Sequence, residues 1–150
     1  MSRVVAISNQ KGGVGKTTTA VNLAASMAVA EQRVLLVDLD PQGNASSGVG
    51  VSDRDAPRSL YPVLFREATL ADVKQSTELP YLEIVPAARD LAGVEVEFAN
   101  VDDRAIRLRE ALEPVRDNYD FIFLDCPPSL GVLTINALVG ADIVVVPMRA

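Results

Sequence analysis

Lys11-Gly12-Gly13-Val14-Gly15-Lys16-Thr17-Thr18 is the stretch of this chain most suited to chemistry. Glycine lacks a Cβ, so backbone N–H groups at such positions can converge on an anion without a clash. An apolar run precedes the stretch and a helical pattern follows it, which aims the positive end of a helix dipole at the same anion. Lys16 supplies a positive charge suited to the β- and γ-phosphates of a nucleotide, and the Thr17 hydroxyl suits Mg²⁺. These residue types in this order make a phosphate-binding loop. The general pattern G-x-x-x-x-G-K-[ST] would have glycine at position 10. This chain has Gln10 there, followed by an additional lysine, Lys11.

Two acidic segments complete the set. Asp38-Leu39-Asp40-Pro41-Gln42-Gly43-Asn44 closes an apolar run. Ligands of open α/β sheets sit at the carboxyl ends of the strands, so both acids can face a nucleotide there. A carboxylate there would orient a water for attack on the terminal phosphate or hold the metal through water; the alternative is a turn in which Asp40 merely caps the loop. Phe121-Ile122-Phe123-Leu124-Asp125-Cys126-Pro127-Pro128-Ser129 ends a second apolar run in an acid. Asp125 fits the element of phosphate-loop proteins whose carboxylate helps to hold Mg²⁺. Cys126 reads as a packing or loop residue, because the chain contains no histidine to activate it as a nucleophile.

Hydrophobic periodicity supplies the elements that would position these groups. Residues 4–8 read as a buried strand, 17–31 as a helix with Ala20, Leu23, Ala24, Met27 and Ala28 on its inner face, and 33–38 as a second strand. That order predicts a βαβ unit. Residues 41–59 read as a long surface loop. Thr69 predicts a helix start with Asp72 three residues on, and residues 82–86 a third strand. Asp102 or Asp103 would cap a helix with the face Ala105, Leu108, Ala111, Leu112 and Val115, bent at its end by Pro114. Strands at 121–124 and 143–146 flank a helix over 133–139. Arg104, Arg107, Arg109 and Arg116 alternate with acids and read as a solvated helix face. The expected fold is α/β: a phosphate-loop three-layer sandwich, with a mostly parallel sheet and helices on both faces.

Composition narrows the function classes. The chain has 150 residues, a net charge of −6 and 49% hydrophobic residues, which predicts one domain. One cysteine and no histidine exclude a disulfide framework, His-ligated zinc and His-based triads within it. No apolar run approaches the roughly 20 residues that span a bilayer, and an apolar strand begins too early to leave room for a cleavable signal. The expectation is a reducing, cytoplasmic setting without a stable membrane anchor. Strands of this kind are normally followed by further helices, so the chain is expected to be a truncated portion of a longer domain.

Lys-Gly-Gly-Val-Gly-Lys-Thr-Thr, Asp-Leu-Asp-Pro-Gln-Gly-Asn and Asp-Cys-Pro-Pro-Ser-Leu-Gly together resemble the ParA/Soj chromosome- and plasmid-partition ATPases. Asn136-Ala137-Leu138 and 141–147 extend the match, and residues 51–80 match least. The resemblance implies an ATPase with a deviant, two-lysine phosphate loop that forms a homodimer around ATP. Residues 11–18 (Lys11, Gly12, Gly13, Val14, Gly15, Lys16, Thr17 and Thr18) would bind the nucleotide. Lys11 would reach the partner's phosphates; with Lys16 and Asp40 it would be catalytic. Thr17, Asp40 and Asp125 would serve Mg²⁺. The family also implies non-specific DNA as a partner of the ATP-bound dimer, nucleoid association and a ParB/Spo0J-type activator. Its adenine-binding and DNA-binding residues belong to a second half that these 150 residues do not contain. The alternatives are a MinD-like positioning ATPase that cycles on a membrane and a nucleotide-binding fragment without turnover. Three scattered tyrosines argue against a tyrosine kinase with this loop, and one cysteine against a cluster-bearing electron carrier.

Overall fold

The computed structural model describes residues 2–8, 16–51 and 58–147. The first strand, β1, is Arg3–Ile7; a helix, α1, follows at Lys16–Val29 and a strand, β2, at Val34–Asp38. Short helices α2 (Asn44–Gly48), α3 (Leu60–Leu64) and α4 (Leu70–Val73) come next. Strands β3 (Gln75–Ser76) and β4 (Leu82–Val85) precede α5 (Val94–Glu97) and α6 (Arg107–Leu112). The described chain closes with β5 (Phe121–Asp125), α7 (Val132–Gly140) and β6 (Ile143–Val145).

These strands form one sheet in the order β3-β4-β2-β5-β1-β6. The pairs β2–β4, β2–β5, β1–β5 and β1–β6 are parallel, and the two-residue β3 runs antiparallel to β4. The expected βαβ order is present, but β1 and β2 are not neighbours. β5 lies between them, pairing Ile7 and Asp38 alike with Asp125. Local periodicity carries no information about which distant strand takes the central place.

Alternation of side chains across the strands divides the core in two. Val4, Ala6, Leu35, Val37, Ile122 and Leu124 face a layer that includes Leu60, Phe98, Leu108, Leu112 and Leu133. Val5, Ile7, Leu36, Ile84 and Phe123 face α1. Helices therefore cover both faces, as the Val/Ile/Leu composition of the strands requires for a parallel sheet. Each fully buried Leu or Ile contributes roughly 1.5–3 kcal/mol relative to exposure. The contact stripe of α1 is Ala20, Ala24 and Ala28, all buried at i, i+4 spacing. Methyl side chains let the helix axis lie close to the sheet, which sets the height of Lys16 in the first turn of α1 above the strand ends.

Three local expectations are corrected. The segment 41–59 is not wholly loop, since it contains α2. Neither Asp102 nor Asp103 caps the helix expected after them. A 3₁₀ turn at Arg104–Ile106 comes first, with no side-chain cap at Asp103, and α6 starts at Arg107. The cap comes from another element: Asn136 Oδ1 accepts the Leu108 N–H at 3.1 Å, and its Nδ2 donates to Arg104 O and Val132 O. Asp103 instead accepts from Arg66 (2.6 Å) and Arg107 (3.0 Å), so Arg107 is not part of a solvated face. It packs over the Phe98 ring at 5.3 Å and donates to Leu64 O.

Candidate nucleotide site at the carboxyl ends of the strands

The carboxyl ends of β1, β2 and β5 lie side by side, and α1 packs across the face beneath them. Leu39 N–H donates to Asp125 O at 2.9 Å and Cys126 N–H to Ile7 O at 3.1 Å, so the three ends remain joined one residue beyond the strands. Asp38 and Asp125 are partners in register and both are fully buried. Asp40 is 5% exposed in the turn that follows β2. Its Oδ1 accepts the Gln42 N–H at 3.0 Å and its carbonyl accepts the Gly43 N–H at 2.8 Å. Gly43, at φ 70°, occupies the left-handed region and turns the chain into α2.

The two acids of the Asp38-Leu39-Asp40 segment differ in environment. The Asp38 carboxylate turns inward: Oδ1 accepts the Asp40 N–H (3.1 Å), and Oδ2 accepts the N–H (2.9 Å) and Oγ–H (2.7 Å) of Ser46. Burial pushes the Asp38 carboxyl up to about 7; the Asp125 charge adds to this, while Ser46 and the backbone donors oppose it. Sequence reasoning had both acids facing the ligand. The structure commits Asp38 to the protein, and Asp40 is the acid carried by the turn. Asp125 is the terminal residue of its strand, as expected, and Cys126 is buried beside it with Sγ 3.9 Å from Leu124 O. That is a packing role.

Lys11, Gly12, Gly13, Val14 and Gly15 lie outside the described residues, as do the side chains of Lys16, Thr17 and Thr18. The backbone of the latter three forms the first turn of α1. Among the described residues no cluster of three or more His, Cys, Asp or Glu could enclose a metal. Mg²⁺ is typically held by one or two carboxylates together with substrate phosphates and water. Asp40 and Asp125 are oxygen donors of the right hardness, and the proximity of Asp125 to Asp38 favours a nearby cation.

Sequence reasoning missed two site residues. Ser46 sits in a run of small polar residues indistinguishable from a turn. Glu95 places both carboxylate oxygens 2.7 Å from the Val132 N–H, capping α7 where the chain leaves the Asp125 loop. A Cβ at Gly131 would overlap that carboxylate. A glycine directly before a helix was the available signal, but its partner lies 36 residues upstream.

A family profile described as an AAA domain matches residues 2–150. The chain belongs to this family. It is 54% identical over 149 residues to the chromosome partitioning protein ParA of Myxococcus xanthus, covering 99% of this chain and 53% of that protein. Over the same length it is 51% identical to the sporulation initiation inhibitor protein Soj of Bacillus subtilis, covering 59% of it. The ParA/Soj resemblance read from three short motifs thus extends across 149 residues. The chain spans little more than half the length of these curated relatives. Among solved structures it is similar to a cobyrinic acid a,c-diamide synthase from Mycobacterium smegmatis with bound ADP and magnesium. There the TM-score is 0.94 and the identity 40%, covering 99% of this chain and 60% of that one. The phosphate-loop α/β sandwich expected from the sequence is the fold observed. No helix among the described residues is long and apolar enough to cross a membrane.

Proposed function

We propose that these residues are the N-terminal portion of a single nucleotide-binding domain whose intact polypeptide binds and hydrolyses Mg-ATP in chromosome or plasmid partition. The observation that carries this reading is the convergence of Asp38, Asp40 and Asp125 at adjoining strand ends, above the helix that opens with Lys16-Thr17. Residues 11–18 bind the phosphates, with Lys16 on the β- and γ-phosphates. Asp40 orients the attacking water. Thr17 and Asp125 hold Mg²⁺, with Asp40 reaching it through water. The metal, when bound, neutralises charge on the β- and γ-phosphate oxygens. Asp40 is suited to its task because Gln42 N–H and Asp38 hold its turn, so little reorganisation is needed at the moment of attack.

Lys11 completes the site from outside. In an ATP-bound homodimer Lys11 neutralises charge on the partner's γ-phosphoryl group. The identities of 54% and 51% to partition proteins support this use of the fold over the synthase named for the 40% structural match. Non-specific DNA, a ParB/Spo0J-type activator and a nucleoid-associated, cytoplasmic location follow for the intact polypeptide.

The test uses the intact polypeptide. Wild type should hydrolyse Mg-ATP and sediment as a dimer with ATP. Lys11→Ala should bind ATP as a monomer and lose most of the hydrolysis. A Lys11→Ala protein that dimerises with ATP and turns over normally would reduce Lys11 to a surface lysine. Binding of ATP to wild type without turnover would leave only a nucleotide-binding fragment, and ATP-dependent recruitment to anionic vesicles instead of DNA would favour the membrane-cycling alternative.

A further inference from the structure

We propose that Ser46 is a positioning residue of the hydrolytic site, holding Asp38 so that the turn carrying Asp40 is fixed and tied to the segment leaving β4. The inference rests on the ATPase reading above. It names a residue that the phosphate-loop and metal assignments leave out.

Ser46 is fully buried, and both of its polar groups are engaged. Its Oγ–H donates to Asp38 Oδ2 at 2.7 Å and its N–H donates to the same oxygen at 2.9 Å. Its Oγ accepts the Ala87 N–H at 3.1 Å. The second oxygen of Asp38 accepts the Asp40 N–H at 3.1 Å. A continuous path therefore runs from Ala87 through Ser46 and Asp38 to the backbone of Asp40. It closes residues 38–46 into a ring pinned at both ends on one carboxylate.

Packing alone does not require this arrangement, since an alanine would fill most of the same space. The hydroxyl matters because a buried carboxylate needs donors to stay in place. With the hydroxyl lost, Asp38 Oδ2 keeps the Ser46 N–H but loses its shortest donor, so the acceptor of the Asp40 N–H is less firmly held. The turn that carries the Asp40 carboxylate would then be displaced slightly. Displacements of that size matter more for attack geometry than for affinity. The phosphate contacts belong to residues 11–18, so nucleotide binding should be spared.

The two roles separate in a measurement on the intact polypeptide. Equilibrium titration with a fluorescent ATP analogue and Mg²⁺ gives Kd, and single-turnover hydrolysis gives the rate per bound nucleotide, counting folded molecules alone. Ser46→Ala should lower that rate about tenfold, the order expected for one lost hydrogen bond to a charged group, with Kd held within about twofold. Ser46→Thr, which restores the hydroxyl, should recover most of the rate. Asp38→Asn should slow hydrolysis similarly, and the double variant should be no slower than the worse single one, as expected of residues acting through one link. Should Ser46→Ala fail to fold, the Asp38→Asn rate decides the matter. An unchanged single-turnover rate, or parallel losses in Kd and rate, would overturn the positioning role while leaving the ATPase reading intact. A wild type that binds Mg-ATP without turnover would overturn both.

Discussion

The two ends of the same sheet treat the same side chain in opposite ways. At the amino ends of the strands, Asp120 accepts from the Arg33 guanidinium at 3.2 Å, and that bond holds its carboxyl below the ordinary range. Glu83 lies 3.3 Å from Lys74 and accepts the Tyr119 hydroxyl at 2.7 Å, and Asp142 lies 2.7 Å from Arg116. At the carboxyl ends, Asp38 is buried beside Asp125, its donors are one serine and two backbone N–H groups, and its carboxyl is pushed up to about 7. One end is arranged as scaffold, with acids opposite bases near water. The other buries the carboxyl groups of Asp38 and Asp125 side by side, an arrangement that clusters at functional sites. What sets Asp38 apart from Asp120 is its burial and its uncharged donors.

The sharpest way to break this contrast is Asp40→Ala in the intact polypeptide. Hydrolysis should fall about 10²–10⁴-fold, the range for a positioned group acting on a reacting water, while ATP affinity is retained. Unchanged steady-state turnover would make Asp40 a turn residue and the carboxyl end less special than it looks. Next in size is Lys16→Ala, where losing a charge-assisted contact to phosphate should cost about 1.5–3 kcal/mol of Mg-ATP binding or more. Undiminished Mg²⁺-dependent affinity by titration calorimetry would remove the phosphate loop from the site.

Smaller effects test the supporting structure. Glu95→Ala withdraws the acceptor at the start of α7 and should destabilise the protein by about 0.5–1 kcal/mol, read as a lower urea midpoint at unchanged slope. No shift in midpoint would mean that water replaces the carboxylate at no cost. The smallest effect is expected at the amino end. Arg33→Ala should return the Asp120 carboxyl upward to its ordinary range, visible by NMR titration. Because the folded pKa of Asp120 is depressed, the contribution of the pair is present above the unfolded carboxylate value, about 3.9, and disappears as pH falls through the folded value. Any stability advantage of wild type over Arg33→Ala should therefore shrink in acid. An advantage that grew in acid would reverse the assignment of the pair.

Much of this architecture was legible in the sequence, and the exceptions have a common cause. Val34-Leu35-Leu36-Val37 and Phe121-Ile122-Phe123-Leu124 read as buried strands because burial on both faces leaves no place for a polar residue. The acids that end them marked the site for the same reason. β3 was invisible because two residues carry no period. α3, Leu60-Tyr61-Pro62-Val63-Leu64, escaped because a proline in its first turn is tolerated where no intrahelical N–H is needed. Ser46, Asn136 and Arg107 were misjudged or missed because each works through a partner far along the chain. Ser46 meets Ala87, Asn136 meets Leu108, and Arg107 meets Leu64. Sequence patterns report neighbours along the backbone, whereas these roles are set by neighbours in space.

The central place of β5 also bears on how the molecule comes into being during synthesis. By the time Asp40 has left the ribosome, the glycine-rich loop and its helix are complete as polypeptide. Yet β1 and β2 have no hydrogen-bonded contact with each other in the sheet, since each pairs with β5. That strand is made about 85 residues later. At about 5–20 residues per second, the nascent chain waits roughly 4–17 seconds with two apolar strands lacking their shared partner. During that interval Val34-Leu35-Leu36-Val37 can gain one of its two sheet neighbours, β4, but not the other. The arrival of Phe121–Asp125 joins the halves of the sheet and delivers Asp125 to the site in the same step.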